Sequence, residues 1–381
     1  MSKGNILYIR SGPYELSFDG YNLQEVGLGK AFCKAGFNFD IIYYTKKSNR
    51  DQIIETPQNR LRILWRKGIK LLRSGIYPQV LKKSFLLSYN AVIVSEYSQI
   101  MSVLVANRHP NTYIYNGPYY NLFKIPQIEK IYDRLFCKYI NNRVKKVFCK
   151  THMANDYLIK KGITNGIVVG VGLDPDKFET EKNVMPETKK LINQMEGKRN
   201  LLYVGQIIPR KNIELLIKSF LIAKNTDKDL QLVLVGSGKE EFKEKCKKII
   251  PEEDKCSVIW CPFIKNAQLK FIYEKAIAFL LPSIQEIFGM VLLEAMYFGL
   301  PVISSHSAGA DTLIEDGKNG FIVEDFEPGV WAEYISRILM EEDYKKEIGL
   351  LAKRTITTNF MWESIAKKMI EYIDRNEQKS E

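Results

Sequence analysis

The stretch Pro282-Ser283-Ile284-Gln285-Glu286-Ile287-Phe288-Gly289-Met290-Val291-Leu292-Leu293-Glu294-Ala295-Met296-Tyr297-Phe298-Gly299-Leu300-Pro301 sets two carboxylates around a strand-to-helix turn. Ile277 to Leu281, just before it, is a short apolar run of the kind that forms a buried parallel strand. Met290 to Phe298 has a helical pattern that Gly299 and Pro301 stop. Glu286 therefore falls in the loop and Glu294 inside the helix. Val291, Leu292, Leu293, Ala295 and Met296 surround Glu294, where an unpaired carboxylate costs roughly several kcal/mol and has to find donors. A ribose diol supplies such donors; an Arg elsewhere in the core would do so equally, and local chemistry leaves both open. The amides of Phe288, Gly289 and Met290 lie at the positive end of the same helix and form an anion site, where Gly289 leaves room for a phosphate.

These residues resemble the GT-B retaining glycosyltransferases of family 4, whose signature sets two Glu in the frame P-S-x-x-E-x-F-G-x-x-x-x-E-A-M-x-x-G-x-P. Leu201 to Asn212, with Gly205, Gln206, Pro209, Arg210 and Lys211, is similar to the family's strand followed by G-R-L-x-x-x-K-G. Val168 to Phe178 is similar to the P-x-G-V-D-x-x-x-F that closes the first domain, and Asp311 to Gly320 continues the pattern. The likeness covers about residues 165 to 325; the first 160 match in outline only.

The resemblance implies an α/β chain of two Rossmann-like, doubly wound parallel-sheet domains facing a cleft. Residues 1–179 would bind the acceptor and 180–361 the nucleotide sugar, with helix 362–376 packing back on the first domain. It implies transfer of a sugar from a nucleotide diphosphate to an acceptor hydroxyl with retention. By the same resemblance Glu286, Lys211 and Arg210 are catalytic, with Glu286 on the donor sugar's hydroxyls. Gly205, Gln206, Lys211, Gly236, Phe288, Gly289, Met290 and Glu294 hold the donor, Glu294 at its ribose. Gly20 and Asn116 lie on the acceptor side. No cofactor or metal is implied, because cationic side chains and the helix dipole stabilise the leaving diphosphate. Asp174-Pro175-Asp176 has the spacing of a metal-binding acidic pair but falls in the G-V-D segment and reads as structural.

Two positions depart from the family pattern. Gln206 stands where Arg is usual and brings no charge, which Arg210 could offset. Asn116 stands where many members have His, and Asn takes no proton at neutral pH. His109 precedes the strand Thr112–Tyr115, at the wrong end for a cleft, and His152 and His306 read as solvated loop residues. Two further functions stay open on these departures: a nucleotide-sugar epimerase of the same fold, and a silent partner subunit that binds without turnover.

With 381 residues, the chain exceeds what one core usually holds. No run of 18 uncharged apolar residues occurs and the start is too quickly polar for a signal peptide, so a cytoplasmic protein is expected. The six cysteines (Cys33, Cys137, Cys149, Cys246, Cys256 and Cys261) form no C-x-x-C pair and read as reduced packing residues. Residues 1–179 hold 27 Lys and Arg against 13 Asp and Glu, leaving 29 against 31 in the remainder. Within the first half, Asn59 to Phe85 carries Arg60, Arg62, Arg66, Lys67, Lys70, Arg73, Lys82 and Lys83 with no acid, interleaved with apolar residues and Trp65. Such a basic amphipathic segment suits an anionic membrane; a solvated helix face packing on the domain is the alternative. The expected partners are a nucleotide sugar, a glycan or lipid-linked acceptor of cell-surface polysaccharide synthesis, and the inner membrane face. Nucleic acid has no motif here to support it.

Asn5–Ile9, Asp40–Tyr44, Ala91–Ser95, Thr112–Tyr115 and Val147–Lys150 read as strands of one half, with a helix from Asn22 to Ala35. Leu201–Gly205, Gln231–Val235, Cys256–Trp260, Ile277–Leu281 and Val302–Ser304 repeat the alternation, which implies parallel sheets. Dinucleotide binding, the competing use of such sheets, lacks its fingerprint: Ser11-Gly12-Pro13 follows the first strand, and Gly27-Leu28-Gly29 lies mid-helix.

Overall fold

The computed structural model describes residues 2–16, 23–123, 125–179 and 181–377, so Gly20 and Asn22 lie outside the described residues. The chain divides into two compact units, Met1–Gly172 with Phe360–Glu381, and Leu173–Asn359. In the first, β1 (Asn5–Ile9), β2 (Asn38–Thr45), β3 (Arg50–Ile54) and β4 (Leu61–Lys67) precede a separate hairpin of β5 (Ile69–Leu71) and β6 (Ser74–Ile76). Then follow β7 (Ala91–Ser95), β8 (Thr112–Asn116), β9 (Lys146–Cys149) and β10 (Gly166–Val168). The eight-stranded sheet runs β10-β9-β8-β7-β1-β2-β4-β3 and is parallel except where β3 pairs with β4. Ile6 to Ile9 and Ala91 to Val94 are buried, as strands covered on both faces must be. Strand order reverses at β1 and β7, the place where open α/β sheets take ligands.

The second unit holds β11 (Arg199–Val204), β12 (Leu230–Val235), β13 (Val258–Cys261), β14 (Ala276–Leu281), β15 (Val302–Ser305) and β16 (Phe321–Val323). Its sheet is parallel throughout, ordered β13-β12-β11-β14-β15-β16, and reverses at β11. β13 starts after Cys256 because Glu252–Ser257 forms a 3₁₀ helix.

The basic segment Asn59 to Phe85 is not one helix, and only its end, in Lys83–Leu86, is helical. Its first part is β4, paired parallel to β2 and antiparallel to β3, and Trp65 is buried at 3% exposure against Tyr43. The cause lies across the sheet. Buried Asp40 on β2 needs cations, and Arg62 reaches it at 2.7 Å and Arg60 at 3.4 Å, while Tyr89 donates to the same carboxylate at 2.8 Å. Arg66 pairs with Asp51 on β3 at 2.7 Å, and Arg50 lies over the Trp65 ring at 4.4 Å. Trp65 is thus a core residue and not a membrane anchor.

The last helix, Trp362–Glu377, packs on the helix Gln24–Lys34 of the first unit. A Cβ on Gly27 would lie 2.2 Å from the Trp362 indole, so Gly27 serves this helix contact and no dinucleotide. A Cβ on Gly172 would meet the same ring at 2.4 Å, which ties the chain to the first unit up to that residue, earlier than 179. Tyr372 packs on Phe148 and Lys34 pairs with Glu363 at 2.6 Å. Among the described residues no helix is long and apolar enough to cross a membrane.

Candidate functional site

At the carboxyl end of the second sheet, Gly205 follows β11 and Gly236 follows β12. The Gly205 amide donates to the Val235 carbonyl at 2.9 Å, and a Cβ on Gly236 would lie 1.7 Å from the Gly205 carbonyl oxygen. Only glycine fits, because the two chains touch backbone to backbone. Gln206 is exposed, and its carbonyl accepts from the Tyr203 hydroxyl at 2.8 Å. Pro209–Lys211 then makes one 3₁₀ turn, and Asn212 takes the left-handed conformation (φ 53°) before the helix Ile213–Lys224. Asn212 holds the N-cap position expected of it but makes no side-chain cap.

This turn is fastened to the loop after β14. The Ile284 amide donates to the Arg210 carbonyl at 2.9 Å, and the Arg210 guanidinium donates to the Gln285 carbonyl. Lys211 Nζ donates to Glu286 Oε2, and Arg210 Nη1 lies 3.7 Å from that oxygen. Arg210, Lys211 and Glu286 therefore converge, and Arg210 points toward the carboxylate although it is distant in sequence from Gln206. Lys211 is 8% exposed, so its charge sits in poorly solvated surroundings where it acts strongly on a nearby anion. Burial, with the Glu286 charge second, pushes the Tyr203 phenol well above its usual range, so it stays a neutral donor.

The loop then turns into the helix Met290–Tyr297. Gly289 occupies its N-cap in the left-handed region (φ 73°), and no side chain caps the helix. Phe288 is buried under the helix Ala308–Leu313, where a Cβ on Gly309 would lie 1.6 Å from the Phe288 carbonyl oxygen. Met290 is half-buried. Glu294 is 1% exposed and accepts from the Tyr273 hydroxyl at 3.1 Å, so a tyrosine is one of its donors. Tyr273 stacks on Phe298 and is held well above the ordinary phenol range, first by burial and then by the Glu294 charge. The Ser305 hydroxyl donates to the Ser283 carbonyl at 2.5 Å, and the Ser283 hydroxyl is buried without a partner. Tyr273, Gly309 and Ser305 were missed in the sequence because each acts through tertiary contact; only the glycine in Ser307-Ala308-Gly309 offered a local cue.

In the first unit, Asn116 ends β8 and is fully buried. Its Oδ1 accepts from the Tyr97 amide at 3.2 Å and its Nδ2 donates to the Pro118 carbonyl at 3.1 Å, so it braces its own loop and is not open to a ligand hydroxyl. His109 is buried, in contact with the Tyr89 carbonyl at 3.0 Å, and burial lowers its pKa. His152 opens the helix His152–Lys160 on the surface, and His306 is exposed with Glu324 at 3.5 Å. Asp174 accepts from the Asp176 amide at 3.2 Å, a turn that starts the short helix Asp176–Glu179. Among the described residues no three His, Cys, Asp or Glu side chains converge.

Residues 184–355 match the family model described as Glycosyl transferases group 1. The second unit carries a glycosyltransferase group 1 domain. That domain contains Gly205 through Glu294, and so every converging residue above. Among curated proteins, the chain is 29% identical over 189 residues to spore coat protein SA of Bacillus subtilis, covering 48% of this chain and 50% of that one. It is 28% identical over 220 residues to the capsular polysaccharide biosynthesis glycosyltransferase CapM of Staphylococcus aureus, covering 55% of each. The chain spans about half the length of the curated relatives it matches. Among solved structures, sucrose-phosphate synthase from Thermosynechococcus elongatus aligns over 99% of this chain and 100% of its own, with TM-score 0.70 and 19% identity. The Anabaena HepE protein in complex with UDP aligns over 97% and 100%, with TM-score 0.73 and 16% identity. At these identities the likeness is one of fold, and the fold is that of the GT-B glycosyltransferases, with a Rossmann-like group 1 domain as its second unit.

Proposed function

We propose that this protein is a retaining glycosyltransferase of family 4 that moves a sugar from a nucleoside diphosphate to an acceptor hydroxyl without a metal. The observation that carries the reading is the convergence of Arg210 and Lys211 on Glu286 beside the uncapped helix at Gly289. Two cations face one carboxylate, so one positive charge is left for a diphosphate. As the glycosidic bond breaks, negative charge gathers on the leaving phosphate, and fixed cations and helix-end amides stabilise that state more than the bound substrate. Glu286 holds Lys211 in place and contacts the sugar hydroxyls. Glu294 binds the ribose, with Tyr273 fixing its rotamer. Gly205 and Gly236 leave room for the nucleotide, and Arg210 supplies the charge that Gln206 lacks.

For the acceptor, the reading is a lipid-linked glycan of cell-surface polysaccharide synthesis at the inner membrane face. Relatives named for capsular polysaccharide biosynthesis and lipopolysaccharide support it, as does the basic excess of residues 1–179. HepE is described with UDP and with UDP-glucose, which makes these the first nucleotides to test. Incubation of the protein with a panel of nucleotide sugars and membrane lipid extract decides the reaction class. Nucleotide release that depends on acceptor supports transfer. An altered sugar without release would instead make it an epimerase, and retention of nucleotide without turnover a silent subunit.

A further inference from the structure

The hairpin of β5 and β6 closes through Leu72 and Arg73, with Leu71 opposite Ser74 and Ile69 opposite Ile76. Two-residue hairpin loops favour Gly, Asn or Asp, because they require left-handed backbone. Here Leu72 takes that conformation (φ 51°), an outlying one for a bulky side chain. The tip is also apolar: Ile69, Leu71 and Leu72 are 62%, 47% and 56% exposed. Water rewards neither the strain nor the exposure.

The root of the hairpin is held fast. The Gly75 amide donates to the Ser11 carbonyl at 2.6 Å, and the Tyr77 hydroxyl to the Arg10 carbonyl at 3.0 Å. Ser74 donates to Gln99 at 2.8 Å, and Arg73 pairs with Glu96 at 3.2 Å. These partners follow β1 and β7, at the reversal of strand order where such a sheet takes its ligand. The charge of the segment from Asn59 to Phe85 itself is of one sign. Arg62 and Arg66 are taken up by Asp40 and Asp51, whereas Lys67, Lys70, Lys82 and Lys83 are exposed and form no ion pair among the described residues.

We propose that this hairpin is a membrane-inserting element, with Leu71 and Leu72 entering the acyl region of an anionic leaflet and Lys67 and Lys70 resting on its headgroups. An apolar tip in a collar of cations fits a bilayer that is greasy inside and negative at the surface. The inference rests on the reading of a lipid-linked acceptor, and places the leaflet beside the acceptor unit's ligand crevice.

The test uses the full chain with vesicles of phosphatidylcholine, with and without phosphatidylglycerol. Wild type should cosediment with the anionic vesicles and be released by salt. The Leu71→Ser/Leu72→Ser protein should bind them about tenfold or more weakly, since each leucine forfeits the burial of an apolar side chain. Emission of the Leu72→Trp variant should be quenched by brominated acyl chains beyond the quenching of wild type. Unchanged UDP binding in both variants shows that they are folded. Salt-sensitive binding that ignores the leucine substitutions, with no added quenching, overturns the insertion and leaves the peripheral reading standing. Absence of wild-type binding to either vesicle sinks both. A lipid-free dimer in sedimentation that the leucine substitutions abolish assigns the tip to a second copy of the chain and overturns the proposal.

Discussion

After β11 and β14 of the second unit, Arg210 and Lys211 meet a single carboxylate, Glu286; after β7 of the first unit, Arg73 meets Glu96 one to one and Gln99 donates to the same oxygen at 3.1 Å. Both sets stand where parallel sheets reverse, and their residue types are similar. They differ in what is left over. The second unit keeps an uncompensated cation and an uncapped helix, which suit a diphosphate. In the first unit the Arg73–Glu96 pair and the Asn116 amide are satisfied internally, and the unit offers an apolar, basic hairpin instead. On the proposed readings a shared architecture would carry two kinds of recognition, one for a charged leaving group and one for an amphiphile.

The largest effect should come from the excess charge. Lys211→Ala should lower kcat by about 10²–10³-fold, the range for loss of one preorganised transition-state donor, and weaken binding of UDP-sugar much less. Steady-state kinetics with the best nucleotide sugar measures both. Equal losses in kcat and in affinity would reduce Lys211 to ground-state binding and blur the contrast between the units.

Next in size is Gly236→Ala. Its Cβ would have to find room 1.7 Å from the Gly205 carbonyl oxygen, and backbone cannot yield as a flexible side chain does. Destabilisation of about 1–3 kcal/mol is expected, with loss of nucleotide binding. Urea unfolding gives the first and calorimetry the second. A variant of native stability and affinity would mean that the two strand ends need not touch to form the site.

Much of this was legible because buried parallel strands are continuous apolar runs. Asn5–Ile9 and Ala91–Ser95 stand where the pattern put them, and the loop of Glu286 and the helix of Glu294 follow from Gly289, Gly299 and Pro301. β4 was hidden because Arg62 and Arg66, four residues apart among the apolar residues, resemble a charged helix face. What makes them strand residues is Asp40 and Asp51 on neighbouring strands, which no local window contains. In the site, the link from Tyr273 to Glu294 and the seat of Phe288 against Gly309 are likewise long-range.

A smaller pair of effects separates the two units directly. Tyr273→Phe removes a donor from a buried carboxylate and should lower stability by about 1.5–3 kcal/mol, and UDP affinity with it. Asn116→Ala removes hydrogen bonds to the Tyr97 amide and the Pro118 carbonyl and should lower stability by about 1 kcal/mol, leaving UDP affinity unchanged. Denaturation and calorimetry on both variants suffice. Weaker UDP binding in Asn116→Ala would return that residue to the ligand site.

The smallest effect concerns pH and belongs to the first unit. His109 is buried at the start of β8, and burial lowers its pKa from the ordinary value near 6.5. The folded chain therefore keeps the ring neutral at a pH where the unfolded chain has already taken up a proton. The unfolded state binds more protons, so stability rises with pH through this range and declines as pH falls below about 6.5. The decline levels off only when the folded imidazole itself protonates. Urea midpoints at pH 7.5 and 5.5 should differ less in His109→Gln than in wild type, with the two proteins converging toward low pH. Identical slopes would show that burial of His109 contributes nothing to the acid sensitivity.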